Sequence, residues 1–322
     1  MDAALVQLAS HLPSCLRLGT SSWSYPGWAG VVWDREYSDQ VLARHGLAAY
    51  ARHPLLRAVS IDRTFYKPLE ATRFALYAAQ TPEDFRFTVK APAMVTDAML
   101  RDEEGRGMRS NPFFLDATHA TKTFIEPLLQ GVGSRLGAAV LQFSPLPLYW
   151  LERMPELIAR LHVFLRALPS LGSASNEAVL AIEVRDAAWL TTAFAEALRD
   201  VGATYCLGLH AKMPSIQEQL PILRALWPSP LVCRWNLNAR HGAFGYSSAA
   251  TQYEPYDKLV DEDQPTRMEL ARVIAGVSRA GKNALVTISN EAEGSAPLSV
   301  IALAKAVHEV QSLANLDREE SA

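Results

Sequence analysis

Cysteine is scarce in this chain. Its three residues, Cys15, Cys206 and Cys233, are too few and too scattered for a disulfide framework or a zinc site. A reducing cytoplasm is therefore the expected location. Charge of one sign is lacking as well: 31 basic residues face 34 acidic ones, a net charge of −3, with no long block of either sign. Duplex nucleic acid prefers a basic face, so it is not an expected partner. No apolar run approaches the ~18–20 residues needed to span a bilayer, which argues against a membrane. The first segment, MDAALVQLASHLPSCLR, has no basic start and carries Asp2. It reads as a short helix or extension over residues 1–15 rather than a secretion signal. Glycine-rich nucleotide signatures and a nucleophile elbow are missing. The eight histidines form neither HxH nor HExxH, so no metal and no cofactor is expected.

What is present is an alternation. With 322 residues, 49% of them hydrophobic, the chain can bury a sizeable core. Apolar runs of strand length occur at 16–23, 58–65, 85–91, 137–144, 178–185, 204–210, 231–237 and 283–290. Segments of helical periodicity separate them, at 40–53, 71–80, 119–130, 149–168, 191–200, 266–279 and 297–313, with a weaker one at 214–226. Eight strands alternating with helices, uninterrupted by a linker, predict one α/β domain, a (β/α)8 TIM-type barrel over 16–316, followed by a flexible tail at 317–322. An open doubly wound sheet is the competitor; it would leave the first and eighth strands unpaired. Two connections are long: DAMLRDEEGRGMRSNPFF after strand three, and NARHGAFGYSSAATQYEPYDKLVDED after strand seven. Both leave the C-terminal ends of strands and read as structureless lids or binding loops.

Strand residues alternate faces, so the polar ones can be sorted. Taking Phe85, Phe87 and Val89 as the helix side turns Arg86, Thr88 and Lys90 inward. The same parity turns Glu183 and Arg185, Ser60, Asp62, Thr64 and Tyr66, Ser21 and Trp23, Gln142, His210, and Arg234 with Asn236 toward the axis. In the last strand Thr287 and Ser289 share one face and Asn290 the other, and a bulge could bring either in. A barrel interior is otherwise apolar, and charges buried there must pair or meet a ligand.

Each of these residues has a structural and a functional reading. Glu183 and Arg185 form either an ion pair closing the barrel top or an acid/base with an anion clamp. Lys90 either pairs with Glu183 or Asp62, or binds an anion, or is a nucleophilic amine, which needs a depressed pKa. Arg234 suits clamping more than catalysis. His210 reads as a satisfied core histidine or a base. Asp62, Glu183, His210 and Glu291 could converge on a cation, although nothing in their spacing shows it. The GSAP stretch at 294–297 caps the last helix and could hold a phosphate, against repulsion from Glu291 and Glu293. Rings in the first two loops, Trp23, Tyr25, Trp28 and Tyr66, either plug the barrel top or wall a pocket mouth.

Several blocks together resemble the DUF72 (YecE-like) family: LGTSSWSYPGWAGVVW, AVSIDRTFYKPL, TPEDFRFTVKAP, LQFSPLP, AIEVRDAAW, RWNLNARHG and VTISNEAEGSAPLSV, spanning residues 16 to 310. The resemblance implies a single TIM-type barrel and assigns no chemistry. Against the family's V-E-I-N-S-T-F-Y stretch this chain has Ser60, Asp62 and Arg63, and Ser289-Asn290 stands where a double Asn is usual.

The expected function is an enzyme of hydrolase or isomerase type acting on a small anionic or polyhydroxylated, sugar-like substrate. Glu183 and Lys90 are its catalytic candidates. Trp23, Tyr25, Asp62, Tyr66, Gln142, Arg185, His210, Arg234 and Asn290 are its candidates for substrate binding. The alternatives are a non-catalytic binding protein or sensor using the same pocket, and a binder of single-stranded nucleic acid on the rim.

Overall fold

The computed structural model describes residues 2–102 and 105–319. Eight parallel strands close into a barrel: β1 (Leu16–Thr20), β2 (Ala58–Ile61), β3 (Arg86–Lys90), β6 (Leu136–Gln142), β7 (Val179–Glu183), β8 (Thr204–Leu209), β9 (Leu231–Trp235) and β10 (Ala284–Ile288). Two further strands, β4 (Met99–Arg101) and β5 (Gly107–Ser110), lie outside it. Pairing of β1 with β10, from Leu16 opposite Ala284 to Thr20 opposite Ile288, closes the barrel. An open sheet is thereby excluded.

Alternation divides the apolar residues into two cores. Small side chains, among them Ala58, Val140, Ala181, Cys206 and Val232, fill the barrel axis. Large ones, including Phe74, Phe87, Trp189 and Phe194, sit between strands and helices. At the N-terminal end of the barrel strands Arg86 pairs with Glu177 at 2.8 Å. The three cysteines are free thiols, two of them buried. Among the described residues no helix is long and apolar enough to cross a membrane.

Local chemistry sets the helix ends. Ala3–His11 starts behind Asp2, whose carboxylate accepts from the Ala4 amide. Thr191 caps Thr192–Asp200 through the Phe194 amide. Ile216–Ala225 is weak by periodicity because it contains Pro221, and a reciprocal capping box between Ser215 and Glu218 offsets that loss. The last helix, Ala296–Glu319, passes the boundary drawn at 316; residues 320–322 lie outside the described residues.

The two long connections are not structureless. After β3 the chain folds into the antiparallel hairpin β4–β5. Its base is fixed by Asn111, whose amide donates to the Met94 and Asp97 carbonyls at 2.8 and 2.7 Å. After β9 it forms a helix, Tyr246–Tyr253. Tyr253 Oη donates to Asp261 at 2.7 Å, and Arg240 pairs with the same carboxylate. Polar tertiary partners supply the order that sequence periodicity does not announce.

Candidate active site

The C-terminal ends of the strands carry a buried ionic network around Glu183. This carboxylate is 0% exposed. One oxygen meets Arg185 at 2.6 Å and accepts from the Asn236 amide at 2.9 Å; the other meets Arg234 at 2.6 Å. Arg234 also pairs with Asp62, which in turn accepts from Ser60 Oγ at 2.5 Å. Arg185 donates to Gln142 Oε1 at 3.2 Å. Parity explains the convergence: each residue occupies an inward position near the end of its strand. Burial pushes the Glu183 carboxyl up, but Arg185, Arg234 and Lys90 together outweigh it and hold it well below the usual carboxylate range. Arg234 moves the other way, above its ordinary value, because Asp62 and Glu183 outweigh the cost of its burial. Two carboxylates and two guanidiniums sum to zero charge.

Lys90 adds a fifth member that this balance does not require. It is the one buried lysine among the described residues, 9% exposed. Its backbone is fixed on both sides, by Thr64 Oγ1 donating to its carbonyl at 2.6 Å and by the Ala91 amide on Val140 at 2.8 Å. Nζ lies 3.8 Å from the centroid of the Phe65 ring. Among the described residues it forms no ion pair, since Arg234 and Arg185 occupy the carboxylates of Asp62 and Glu183. Burial lowers the amine from 10.5 to about 7; Asp62 and Glu183 pull it upward, and Arg234 and Arg185 oppose them. At neutral pH a large share of Lys90 is thus an uncharged amine.

Above this network opens a cavity of about 770 Å³. Lys90, Arg185, Arg234, Gln142, Asp62, Trp23, Tyr25 and Tyr66 all line it, as parity and loop reading expect. Glu183, His210 and Asn290 do not. Glu183 lies beneath the cavity as the anchor of two arginines. His210 Nδ1 accepts from the Lys212 amide at 3.0 Å, and its ring is 5.5 Å from Tyr246. Burial, with Arg185 nearby, lowers the His210 imidazole to about 4, so it is neutral at pH 7. Asn290 Oδ1 accepts from Trp28 Nε1 at 3.2 Å and from the Ala296 amide at 2.8 Å. That second bond occupies an amide at the start of the last helix, and Glu293 and Ser295 are fully buried beside it. The GSAP stretch accordingly presents no open anion cradle. Asp62, Glu183, His210 and Glu291 do not assemble either: among the described residues no group of three or more such side chains could share a cation.

The rings of the first loop separate into two roles. Trp28 is 0% exposed and packs 5.0 Å from Tyr25 and 6.5 Å from Trp33, so it is a core residue and offers no surface to a ligand. Trp23 and Tyr25 face the cavity, and Tyr25 meets Tyr256 edge-on at 5.3 Å. Tyr66 stands at the mouth, 86% exposed. Gly27 permits this contact between the first and seventh loops, because a Cβ there would lie 1.7 Å from the Pro255 carbonyl oxygen. Gly27→Ala should cost ~1–3 kcal/mol through this overlap, read as a lowered unfolding midpoint. An unchanged midpoint would show that the two loops are not packed together.

Some wall residues escape sequence reasoning. Tyr246, on the helix after β9, lines the cavity with its hydroxyl kept protonated; burial chiefly raises it to about 12. Arg63 lines the wall and donates to Tyr77 Oη at 3.2 Å. Glu291 accepts from Tyr256 Oη at 3.3 Å and from Ser289. The clearest omission is serine: Ser22, Ser24 and Ser144 reach the cavity beside Ser21, Ser60 and Ser289. A dense SS-S run before a Trp was the available signal, and it reads as ordinary turn chemistry.

The geometry defines a (β/α)8 barrel with a polar cavity over a buried ionic network at the C-terminal ends of its strands. The chain belongs to the DUF72 family: a family model described as "Protein of unknown function DUF72" matches residues 17–321. A solved DUF72 family protein from Thermotoga maritima is 23% identical, covers 90% of this chain and 98% of its own, and superposes with a TM-score of 0.55. Another, from Enterococcus faecalis, is 18% identical over 91% of this chain and 95% of its own, with a TM-score of 0.58. At these identities the likeness concerns the fold alone. No curated protein matches the chain. The departures at Ser60 and Asp62 are coupled here by a hydrogen bond, and Asp62 supplies the second carboxylate of the network.

Proposed function

We propose that this protein is an enzyme acting on a small polyhydroxylated substrate bound in the 770 Å³ cavity, with Lys90 as its proton-transfer group. The carrying observation is Lys90 itself: a buried amine, lowered to about 7, lining the cavity and lacking a carboxylate partner among the described residues. A proton-transfer group works best with a pKa near the working pH. Isomerisation and hydrolysis both use this chemistry.

The wall chemistry selects hydroxyls over strong anions. Arg185 and Arg234 are already neutralised by Glu183 and Asp62, and Glu291 adds negative charge on the wall. Ser21, Ser22, Ser24 and Ser144 make no side-chain hydrogen bond among the described residues, leaving four hydroxyls for a sugar-like ligand. In this reading Glu183 holds the arginines, while Gln142 and Arg185 orient substrate oxygens. The free thiols are consistent with work in the cytoplasm.

Native mass spectrometry of freshly purified protein, joined to a thermal-shift panel of aldoses, ketoses and sugar acids, tests the reading. A retained hydroxylated ligand, or a midpoint shift that Lys90→Gln preserves while turnover is lost, is the expected result. Binding without turnover in the wild type would identify a sensor, and no binding at all would remove the site.

A further inference from the structure

We infer that Lys90 is a covalent nucleophile, forming an imine with the aldehyde or ketone carbon of its substrate. This deepens the reading above and rests on it, since it takes the cavity as the substrate site. The substrate class becomes a hydroxylated carbonyl compound.

The placement carries the argument. An imine-forming lysine needs a fixed stem, an accessible amine and a surrounding that tolerates it uncharged. Lys90 has each of these. Thr64 and Val140 fix its backbone at the last residue of β3. Its side chain lines the cavity, and the Phe65 ring covers Nζ on one face. The neighbouring charges already balance without it, because Glu183 and Asp62 are bound by Arg185 and Arg234. Uncharged Lys90 leaves the network neutral, whereas protonated Lys90 leaves a surplus positive charge in a buried site, a costly arrangement. The lowered value of about 7 agrees with this geometry.

The chemistry balances without a further reagent. The Nζ lone pair attacks the carbonyl carbon, a C–N bond forms, and the C=O π electrons pass to oxygen. That oxygen takes a proton, and the amine loses one, giving a carbinolamine. Protonated again, the hydroxyl leaves as water and a C=N bond remains. Water entering at the cavity mouth beside the exposed Tyr66 supplies that proton. Hydrolysis reverses every step and returns the free amine. While it lasts, the iminium acidifies the adjacent C–H bond, which is what an isomerisation of a hydroxylated carbonyl compound requires.

Trapping tests the inference directly. The full-length protein is incubated at pH 7.5 with dihydroxyacetone or glyceraldehyde, each separately, in the presence of sodium cyanoborohydride. The borohydride delivers hydride to the iminium carbon and leaves a stable secondary amine. Intact mass followed by peptide mapping is expected to place the adduct on Lys90, formed about tenfold or more faster than on any surface lysine, because the Lys90 amine is largely uncharged at this pH. Lys90→Arg should abolish the fast adduct while far-UV circular dichroism stays native. Modification of Lys90 no faster than of surface lysines overturns the inference, and peptide mapping of the wild type decides this even where the variant fails to fold. A ligand that still shifts the unfolding midpoint in the absence of trapping leaves the cavity as a substrate site and removes only the imine. Loss of both removes the site reading as well.

Discussion

Glu183→Gln should lower the unfolding midpoint by ~5–10 °C. Removing one partner of a buried ionic network strands the others, at a cost of ~3–5 kcal/mol. Here the stranded groups are two guanidiniums, Arg185 and Arg234, both buried. The glutamine has the same shape, so packing changes little and the loss reports charge. Its pH dependence has a definite sign. The folded carboxyl is held below its ordinary 4.5 by Arg185, Arg234 and Lys90, which together outweigh burial. Such a group contributes stability that is complete above the unfolded value and is lost as pH falls through the folded one. The difference between wild type and E183Q should therefore narrow below about pH 4. Calorimetry at pH 7 and pH 3.5 measures both points. A loss under ~1 kcal/mol at pH 7 would mean that water, not Glu183, neutralises the arginines.

Lys90→Met should act in the opposite direction and stabilise the protein by roughly 2–4 kcal/mol at pH 7. A folded amine lowered to about 7 has lost its proton in a range where the unfolded chain still carries one. Between about 7 and 10.5 the unfolded state binds more protons, so native stability rises with pH across that window. Below about 7 both states are protonated and the full cost of the buried charge is paid. The advantage of K90M is thus largest at or below pH 7 and closes toward pH 10. Urea unfolding of both proteins at pH 6.5 and 9.5 reads the gap. A gap that stays constant with pH, or a less stable variant, contradicts the charge argument. A stabilising substitution that abolishes function is the signature of a residue retained for chemistry.

Much of this arrangement is legible in the sequence, for a physical reason. A strand's side chains alternate with period two, so Lys90, Glu183, Arg185, Arg234 and Asp62 fall on the inward face once Phe87, Ile182 and Ile61 are assigned outward. Eight such runs between helices leave few architectures besides a closed barrel. Pairing is less legible. Asp62, just past the end of β2, reaches Arg234 on β9, a contact 172 residues apart in sequence, which only barrel closure brings about. That contact leaves Lys90 without the Asp62 ion pair that shared inward parity suggests.

Turns are the other blind spot. Trp23 and Trp28 look equivalent in SSWSYPGW, yet the short 3₁₀ turn Pro26–Trp28 rotates Trp28 into the core and leaves Trp23 at the cavity. Asn290 begins a similar turn, Asn290–Ala292, just past the strand, so parity no longer applies and its side chain braces Trp28 instead of facing a ligand. The helix Tyr246–Tyr253 is written YSSAATQY, poor in strong helix formers, and is held by Asp261 rather than by its own pattern.

The state of the Lys90 amine is the central claim, and its titration tests it most directly. Protein carrying 13C-labelled lysine, with the Lys90 Cε signal assigned by its absence in Lys90→Arg, is titrated by NMR from pH 5.5 to 10.5. An inflection close to pH 7 is expected for Lys90. A Lys90 signal that keeps the ammonium shift up to pH 10 would contradict it.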